Sequence, residues 1–178
     1  MQNGNSFSAF VDEVVQFLDD KKVIEYFAEE IPSAMDEVLF GYCQRFMLAS
    51  VPQRQQFQEA LAQAHRSFFG IFGHRAATIA VRQSSPEWLL AGLVGAIISN
   101  YVIPKRRNVE VGLAVYHHCA RKLDISPVAL FKEAARFADL ALATRLIAFG
   151  SRADVVLSKF GWQELKTADG VKYKFSWG

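Results

Sequence analysis

The sequence is poor in the residues and motifs that mark familiar kinds of chemistry. Only two cysteines are present, Cys43 and Cys119, and two cysteines do not make a disulfide framework. There is no phosphate-binding loop, dinucleotide-binding fingerprint, nucleophile elbow or zinc-protease motif. No basic segment followed by an apolar run stands at the beginning, so we expect no secretion signal and a reducing, cytoplasmic setting. We therefore expect no cofactor and no metal ion.

Charge is missing from the most apolar stretch of the chain, between residues 88 and 103. Ser85 followed by Pro86 predicts a helix start, since serine caps a free backbone N–H group and proline needs no donor there. Pro104 predicts the end of the helix. The apolar run is shorter than the ~20 residues of a membrane span. We therefore predict a buried central helix at 85–103 in a soluble protein without a membrane partner.

Apolar residues recur at helical spacing along most of the chain, and there are fifteen phenylalanines. The resulting stripes are predicted to place Phe10, Tyr42, Phe57 and Ile71 on inward-facing sides of their helices. Such a composition supports a large core and argues against disorder. We predict an all-α fold in a single domain, residues 1–178, in which residues 1–6 are disordered. Its architecture is an irregular orthogonal multi-helix bundle, with an α-solenoid-like stack as the alternative. The predicted helices cover residues 6–20, 21–30, 33–51, 54–72, 74–82, 85–103, 108–123, 127–149 and 154–160, with a break at Gly70 and Gly73.

Two serine–proline pairs, at residues 85–86 and 126–127, predict helix starts 41 residues apart. The first helix has an alternative cap at Ser84, with Glu87 completing a capping box. The spacing lies within the range of helical-pair repeats, although few other positions match. This weak repeat is the reason for the solenoid alternative.

The end of the chain changes character. β-forming residues on both sides of an aspartate–glycine turn at 169–170 predict a β-hairpin at 162–176. Because a lone hairpin is only marginally stable, we expect this appendage, residues 162–178, to pack on the helical body.

One part of the chain resembles a known group of proteins. It runs from Ser85 to Ala135, with the pattern SPEWLLAGLVGAIIS…VGLAVYHHCARKLDISPVALFKEAA, and is closed by FGWQELKTADGVKYKF. The pattern resembles uncharacterised bacterial all-helical single-domain proteins of this length, which have no assigned function. The resemblance spans about half the chain. It consists of packing motifs, so it implies a fold and gives no site residue.

Charge is unevenly distributed along the chain. Residues 1–41 carry nine acidic residues against two lysines, whereas the remainder carries eighteen basic and nine acidic residues. Such asymmetry is typical of a polar partner surface, although acidic and basic helices can also pack side by side and cancel. A basic protein is the expected partner. The predicted partner-binding face consists of seven carboxylates: Asp12, Glu13, Asp19, Asp20, Glu25, Glu29 and Glu30.

Three adjacent residues, His117, His118 and Cys119, form the most conspicuous polar run. Neighbouring side chains on a helix point about 100° apart, so the three do not meet at one metal ion. We expect a structural role for them, with His117 on a polar flank near Glu110 and Arg121.

A weaker hypothesis places an anion-binding pocket at His65, Arg66, His74 and Arg75, two histidine–arginine pairs on either side of the predicted glycine break. A solvated edge is the alternative. The basic run at residues 105–107 has no interleaved aromatic residues, so we do not expect a nucleic-acid partner.

These patterns support three functions from different classes. The main prediction is a non-catalytic protein-binding module: a bacterial immunity or antitoxin-type protein, or an adaptor, that neutralises or scaffolds a partner through its acidic N-terminal face. The first alternative is a helical protein that binds an apolar small molecule in a cavity beside the small residues of the central helix. The second alternative is an enzyme that uses His117 or His118.

Overall fold

A computed structural model describes residues 2–20, 34–99, 106–158, 163–166 and 172–175. The all-α prediction is confirmed within these ranges as a multi-helix bundle, while the choice between an irregular bundle and a solenoid-like stack stays a prediction. The predicted helix at 21–30 lies outside the described residues. None of the described helices is long and apolar enough to cross a membrane. The eight helices of the described residues are α1 Gln2–Asp19, α2 Ala34–Leu48, α3 Val51–Ala60, α4 Gln63–Gln83, α5 Pro86–Ile98, α6 Arg106–Lys122, α7 Pro127–Ala135 and α8 Leu140–Ser158.

Two helix starts follow the serine–proline rule. Ser85 caps α5, and its hydroxyl accepts a hydrogen bond from the backbone N–H of Trp88 at 3.3 Å. Ser126 caps α7 in the same way, through the N–H of Ala129 at 3.2 Å. The alternative cap at Ser84 is wrong, because Ser84 ends α4 in the left-handed conformation with a φ of 50°.

The helix predicted at residues 54–72 is interrupted in the structure. Leu61 adopts an extended backbone conformation between α3 and α4. This break changes which side chains face the interior. Phe57 is fully buried before the break, as predicted, whereas Ile71, which the predicted stripe placed inside, is 42% exposed after it.

α4 runs unbroken through Gly70 and Gly73, where a break was predicted. Glycine costs a helix about 1 kcal/mol relative to alanine, and the close approach of α5 offsets this cost. A Cβ atom at Gly73 would lie 2.7 Å from the Gly92 carbonyl oxygen, and one at Gly92 would lie 2.8 Å from the Gly73 oxygen. The Tyr116 hydroxyl donates to the same Gly92 oxygen at 3.2 Å, which ties α6 to the pair.

Other predicted boundaries shift by a few residues or merge. α1 begins at Gln2 and α6 at Arg106, ahead of their predicted starts, and α5 ends at Ile98, short of residue 103. The helix predicted at 127–149 divides into α7 and α8, and α8 continues to Ser158 through the start of the last predicted helix.

Two hydrophobic cores lie on different faces of α5. Leu93 belongs to one core and Val94 to the other, and both are fully buried, so α5 is the buried central helix that the apolar pattern predicted. The aromatic core, built from α1–α5, contains six buried phenylalanines: Phe7, Phe10, Phe46, Phe57, Phe69 and Phe72. The alanine core, built from α4–α8, contains seven buried alanines: Ala77, Ala80, Ala96, Ala114, Ala120, Ala134 and Ala135.

Two four-residue strands lie near the end of the chain. β1 (Gln163–Lys166) runs antiparallel to β2 (Lys172–Phe175), with Leu165 paired to Tyr173. These eight residues are all that the structure describes of the hairpin predicted at 162–176, and they do not establish it as a folded unit. Its turn lies outside the described residues, and its packing on the helices stays a prediction.

Candidate functional site

The acidic N-terminal face is only partly within the described residues. Asp19 lies at the end of α1, where its Oδ1 is 2.7 Å from Nε2 of His65 at the start of α4. This acid is therefore already engaged within the fold. The predicted partner-binding residues that are described and exposed are Asp12, Glu13, Asp19 and Asp20. Those that lie outside the described residues are Glu25, Glu29 and Glu30.

An open groove of about 720 Å³ lies between α1 and α2. On both helices the lining residues recur every three or four positions, with adjacent pairs at 16–17, 37–38 and 41–42, so each helix presents one face to the groove. Of the predicted partner-binding acids, Glu13 lines it. The lining residues are Phe10, Glu13, Gln16, Phe17, Glu37, Val38, Gly41, Tyr42 and Arg45.

Three aromatic rings form the floor of the groove. Phe10 and Phe17 each meet the Tyr42 ring edge-on, with ring centres 5.7 and 5.6 Å apart. The Arg45 guanidinium lies 4.4 Å from the centre of the Phe10 ring, which is within the range of a cation–π interaction. The floor thus already holds one guanidinium group, supplied by the chain itself.

Two exposed carboxylates, Glu13 and Glu37, stand at the rim. Neither forms an ion pair with another residue that the structure describes. Burial, followed by the charge of Glu13, raises the pKa of Tyr42 to about 12, so this hydroxyl stays protonated at neutral pH. On the α2 side Val38 is 37% exposed, and a Cβ atom at Gly41 would meet nothing within 4 Å. The groove therefore combines negative charge with accessible apolar surface.

The structure does not bring the four residues of the predicted anion pocket together. His65 contacts α1, as described above, and Arg66 donates from Nε to the Gln58 carbonyl oxygen at 3.2 Å. His74 lies further along α4, with its ring centre 6.3 Å from that of Tyr116. Burial lowers the pKa of His74, which favours the neutral ring.

Arg75, the fourth of these residues, forms a buried ion pair that sequence reasoning missed. Its Nε and Nη2 atoms donate to the two carboxylate oxygens of Asp36 at 3.0 and 3.2 Å. The arginine and aspartate side chains are 6% and 3% exposed. No local signal in the sequence links Asp36 to a residue 39 positions away. Because the pair is enclosed between α2 and α4, we assign it to the framework that supports the groove.

The histidine run lies on α6, where His117 is buried and His118 is half-buried. His117, expected on a polar flank near Glu110 and Arg121, is only 7% exposed, and its ring lies edge-on 6.4 Å from Phe149. The side chain of Glu110 lies outside the described residues, so that contact stays a prediction. The pKa of His118 is lowered mainly by burial and, to a smaller extent, by the charges of Lys122 and His117. His117 therefore contributes to packing in the alanine core region.

The two cysteines lie in different cores. Cys43 is fully buried in the aromatic core and Cys119 is 1% exposed in the alanine core. Burial raises the pKa of the Cys43 thiol above its usual range, and the neutral thiol is a poor nucleophile. Among the described residues, no three His, Cys, Asp or Glu side chains are placed to hold a metal ion.

Comparison with known proteins identifies no relative of this chain. No family model, no curated protein and no solved structure matches the chain. The resemblance of residues 85–135 to bacterial all-helical proteins stays a prediction, and the groove between α1 and α2 is the candidate site on its geometry alone.

Proposed function

We propose that this protein is a non-catalytic protein-binding module whose docking surface is the groove between α1 and α2. The observation that carries the proposal is an aromatic floor beside two carboxylates, Glu13 and Glu37, that form no ion pair within the described chain. Carboxylates that only balance the basic remainder of the chain would pair with arginine or lysine in the fold. These two are instead directed to the groove.

The chemistry of the groove favours a partner segment that is both basic and apolar. Arg45 over the Phe10 ring is an internal example of a guanidinium group on this floor. The rim carboxylates supply ion pairs, and the exposed Val38 beside the open Gly41 supplies apolar ground. A groove between two helices suits an amphipathic helix, which presents apolar anchors at i, i+3, i+4 and i+7. The proposed partner offers such a helix, flanked by arginine or lysine.

Two further exposed acids, Asp12 in α1 and Asp20 just after it, are proposed to act at longer range. Asp12 and Asp20 are exposed but do not line the groove. A negative field around a binding site raises the association rate of a basic partner, and salt screens this effect. We assign them to steering rather than to direct contact.

A direct test uses a synthetic peptide of about 15 residues, long enough to form a helix on binding, with leucines at helical spacing and flanking arginines. Glu13→Gln combined with Glu37→Gln should weaken binding, slow association and reduce its salt dependence. The melting temperature should stay the same or rise slightly, because neither acid forms an ion pair with the residues that the structure describes. The matched control is Glu59→Gln with Glu87→Gln, two exposed acids outside the groove.

The proposal fails if the groove variant binds the peptide as the unchanged protein does. It also fails if the variant melts at a lower temperature while binding is unchanged, since the acids would then serve stability alone. A peptide with glutamates in place of the arginines should not bind.

The other functions have less support. The α5 glycines that suggested a ligand cavity are covered by α4: a Cβ atom at Gly95 would lie 2.8 Å from the Phe69 carbonyl oxygen. Burial of His117 argues against its use in catalysis. The narrower identity, a cytoplasmic immunity, antitoxin or adaptor protein, stays a prediction that identification of the natural partner would test.

A further inference from the structure

Three large apolar side chains project into solvent where two helix connections meet. Leu48 ends α2, Val51 begins α3 and Leu140 begins α8, and their exposed fractions are 88%, 58% and 84%. No other large hydrophobic side chain among the described residues is as exposed. Single exposed leucines are common, but a group of them at one place indicates an interaction surface.

The side chain of Arg54 joins the two connections. Its Nη1 donates to the Ala49 carbonyl oxygen at 2.7 Å, and its Nη2 donates to the Arg136 carbonyl oxygen at 3.4 Å. The residue after α2 and the residue after α7 therefore share one guanidinium group. Leu48 lies one position from the first of these carbonyl groups and Leu140 lies four positions from the second, and we take the residues around the shared guanidinium group as one surface.

This surface carries two guanidinium groups and the carboxylates of Glu133 and Asp139. The guanidinium groups of Arg54 and Arg136 each lie 5.6 Å from the centre of the Phe137 ring. Partial burial, followed by the charge of Arg136, lowers the pKa of Arg54, as expected for neighbouring like charges. Glu133 pairs with Arg136 at 2.6 Å, but both side chains are largely exposed, so the pair is weak. We call this surface, formed by Leu48, Val51, Arg54, Arg136, Phe137 and Leu140, the arginine corner.

The groove and the arginine corner follow each other along α2. Val38, Gly41, Arg45 and Leu48 are spaced by three, four and three residues and share one exposed helix face. The first three line the groove, and the last belongs to the arginine corner. A two-fold axis across α2 would therefore place each groove against the arginine corner of the other copy.

We propose that the partner of the groove is the arginine corner of a second copy of this chain, in a symmetric dimer whose α2 helices run antiparallel. This inference rests on the proposed function of the groove. The proposed dimer sets Glu13 and Glu37 of the groove opposite Arg54 and Arg136 of the arginine corner. The arginine corner has the basic and apolar chemistry that the groove favours. Open space at Gly41 lets the two helices approach closely.

The two surfaces supply only part of the interface that a stable dimer needs. Nine groove residues and six residues of the arginine corner come from each copy. A stable interface of standard size uses about 20–30 residues from each side. Neighbouring residues on α1 and α3 would complete it. Two-fold dimers with self-complementary surfaces are also the commonest oligomers.

The first test is sedimentation velocity over a range of protein concentrations, which should show a reversible monomer–dimer equilibrium. Leu48→Ser with Leu140→Ser should raise the dissociation constant at least about tenfold, a change of 1.4 kcal/mol. Both side chains are too exposed for their loss to harm the cores. The matched control is Ile71→Ser with Ile147→Ser, which are 42% and 43% exposed and lie outside both surfaces; it should dimerise normally.

The second test reverses charge. Glu13→Lys with Glu37→Lys should abolish the dimer, and so should Arg136→Glu, whose side chain is 67% exposed in the unchanged protein. Mixing these two variants should restore a dimer that contains one chain of each kind, because both contacts then join opposite charges. Placing all three changes in one chain should also restore a homodimer. Circular dichroism of each variant checks that it folds.

The dimer proposal is overturned if the protein stays monomeric at every concentration. It is also overturned if the dissociation constant of the dimer is the same in all these variants as in the unchanged protein. Vesicles of equal parts phosphatidylglycerol and phosphatidylcholine test whether the arginine corner binds a lipid surface instead. The proposal is also overturned if the protein forms no dimer, binds these vesicles, and loses vesicle binding in the Leu48→Ser, Leu140→Ser variant. If the protein is monomeric and binds the basic peptide, the proposed function stands and only the dimer proposal fails. If charge reversal supports the dimer but the monomeric Arg136→Glu variant does not bind the peptide, the dimer stands and the proposal of an external partner fails.

Discussion

The aromatic core and the alanine core share α5 but fill space by different means. In the aromatic core, the Phe57 ring has three aromatic neighbours, Phe10, Phe46 and Phe69, with ring centres 5.4–5.8 Å away. In the alanine core, small side chains let helices approach each other. Large rings bury the most area per residue, whereas small residues bring backbones together. One core should therefore be sensitive to the removal of atoms and the other to their addition.

The largest expected effect comes from a change that damages both cores through α5. Leu93→Asp places an unpaired carboxylate at a fully buried position. Such a charge costs several kcal/mol against a total stability of about 5–15 kcal/mol, so we expect the protein to unfold. Circular dichroism at 25 °C measures this. Leu140→Asp, at an 84% exposed position, should remain folded; a folded Leu93→Asp variant would show that α5 is peripheral.

Removing a ring tests the aromatic core alone. Phe57→Ala should lower the free energy of unfolding by about 3–5 kcal/mol, because it removes buried area and leaves a cavity among rigid rings. Urea denaturation measures the change, and Phe57→Leu should cost less. A loss below about 1 kcal/mol would mean that the surrounding rings collapse into the space, contrary to the tight packing described here.

Adding a methyl group tests the close contact between α4 and α5. In Gly92→Ala the new Cβ atom would lie 2.8 Å from the Gly73 carbonyl oxygen and 2.9 Å from Ala76 Cβ. Such overpacking should lower stability by about 1–3 kcal/mol. The matched control is Gly41→Ala, which meets no atom within 4 Å and should stabilise α2 by up to about 1 kcal/mol. Equal effects at both glycines would contradict the tight contact.

The smallest expected effect is a dependence on pH. Burial lowers the pKa of His74, beside Tyr116 of the alanine core. The unfolded chain then binds a proton more readily than the folded one. The contribution of the neutral His74 ring to the free energy of unfolding is fully present above the pKa of the unfolded chain, about 6.5. It is lost as the pH falls towards and through the lower pKa of His74 in the folded protein. His74→Leu should flatten the curve of unfolding free energy between pH 7 and 5; an unchanged slope would assign the dependence to another group, such as His118.

The sequence predicted two helix starts well, those at the serine–proline pairs. Ser85 and Ser126 cap their helices through the hydrogen bonds that the serine–proline pairs implied. The break at Leu61 was missed because neither glycine nor proline marks it. The predicted break at Gly73 was wrong because its helix cost is offset by a neighbour that only the tertiary structure reveals.

The candidate site was predictable in its charge and not in its shape. The sequence identified Glu13 as part of an acidic face, but Glu37 joins it only because α2 packs beside α1. The stripe spacing correctly placed Phe10 and Tyr42 inside, yet it did not show that their rings also line an open groove. Arg45 appeared as one more basic residue, and only its position over Phe10 shows what the floor accepts.

The contact between α4 and α5 also bears on the order of folding. The two helices are joined by Ser84 and Ser85 alone, and the Ser85 N–H donates to the Ala80 carbonyl oxygen at 2.9 Å. Contacts between segments so close in sequence require little loop closure, so they form early on the folding pathway. We expect Gly92→Ala to slow refolding in stopped-flow experiments, whereas Phe57→Ala, in a core that assembles later on this helix pair, mainly accelerates unfolding.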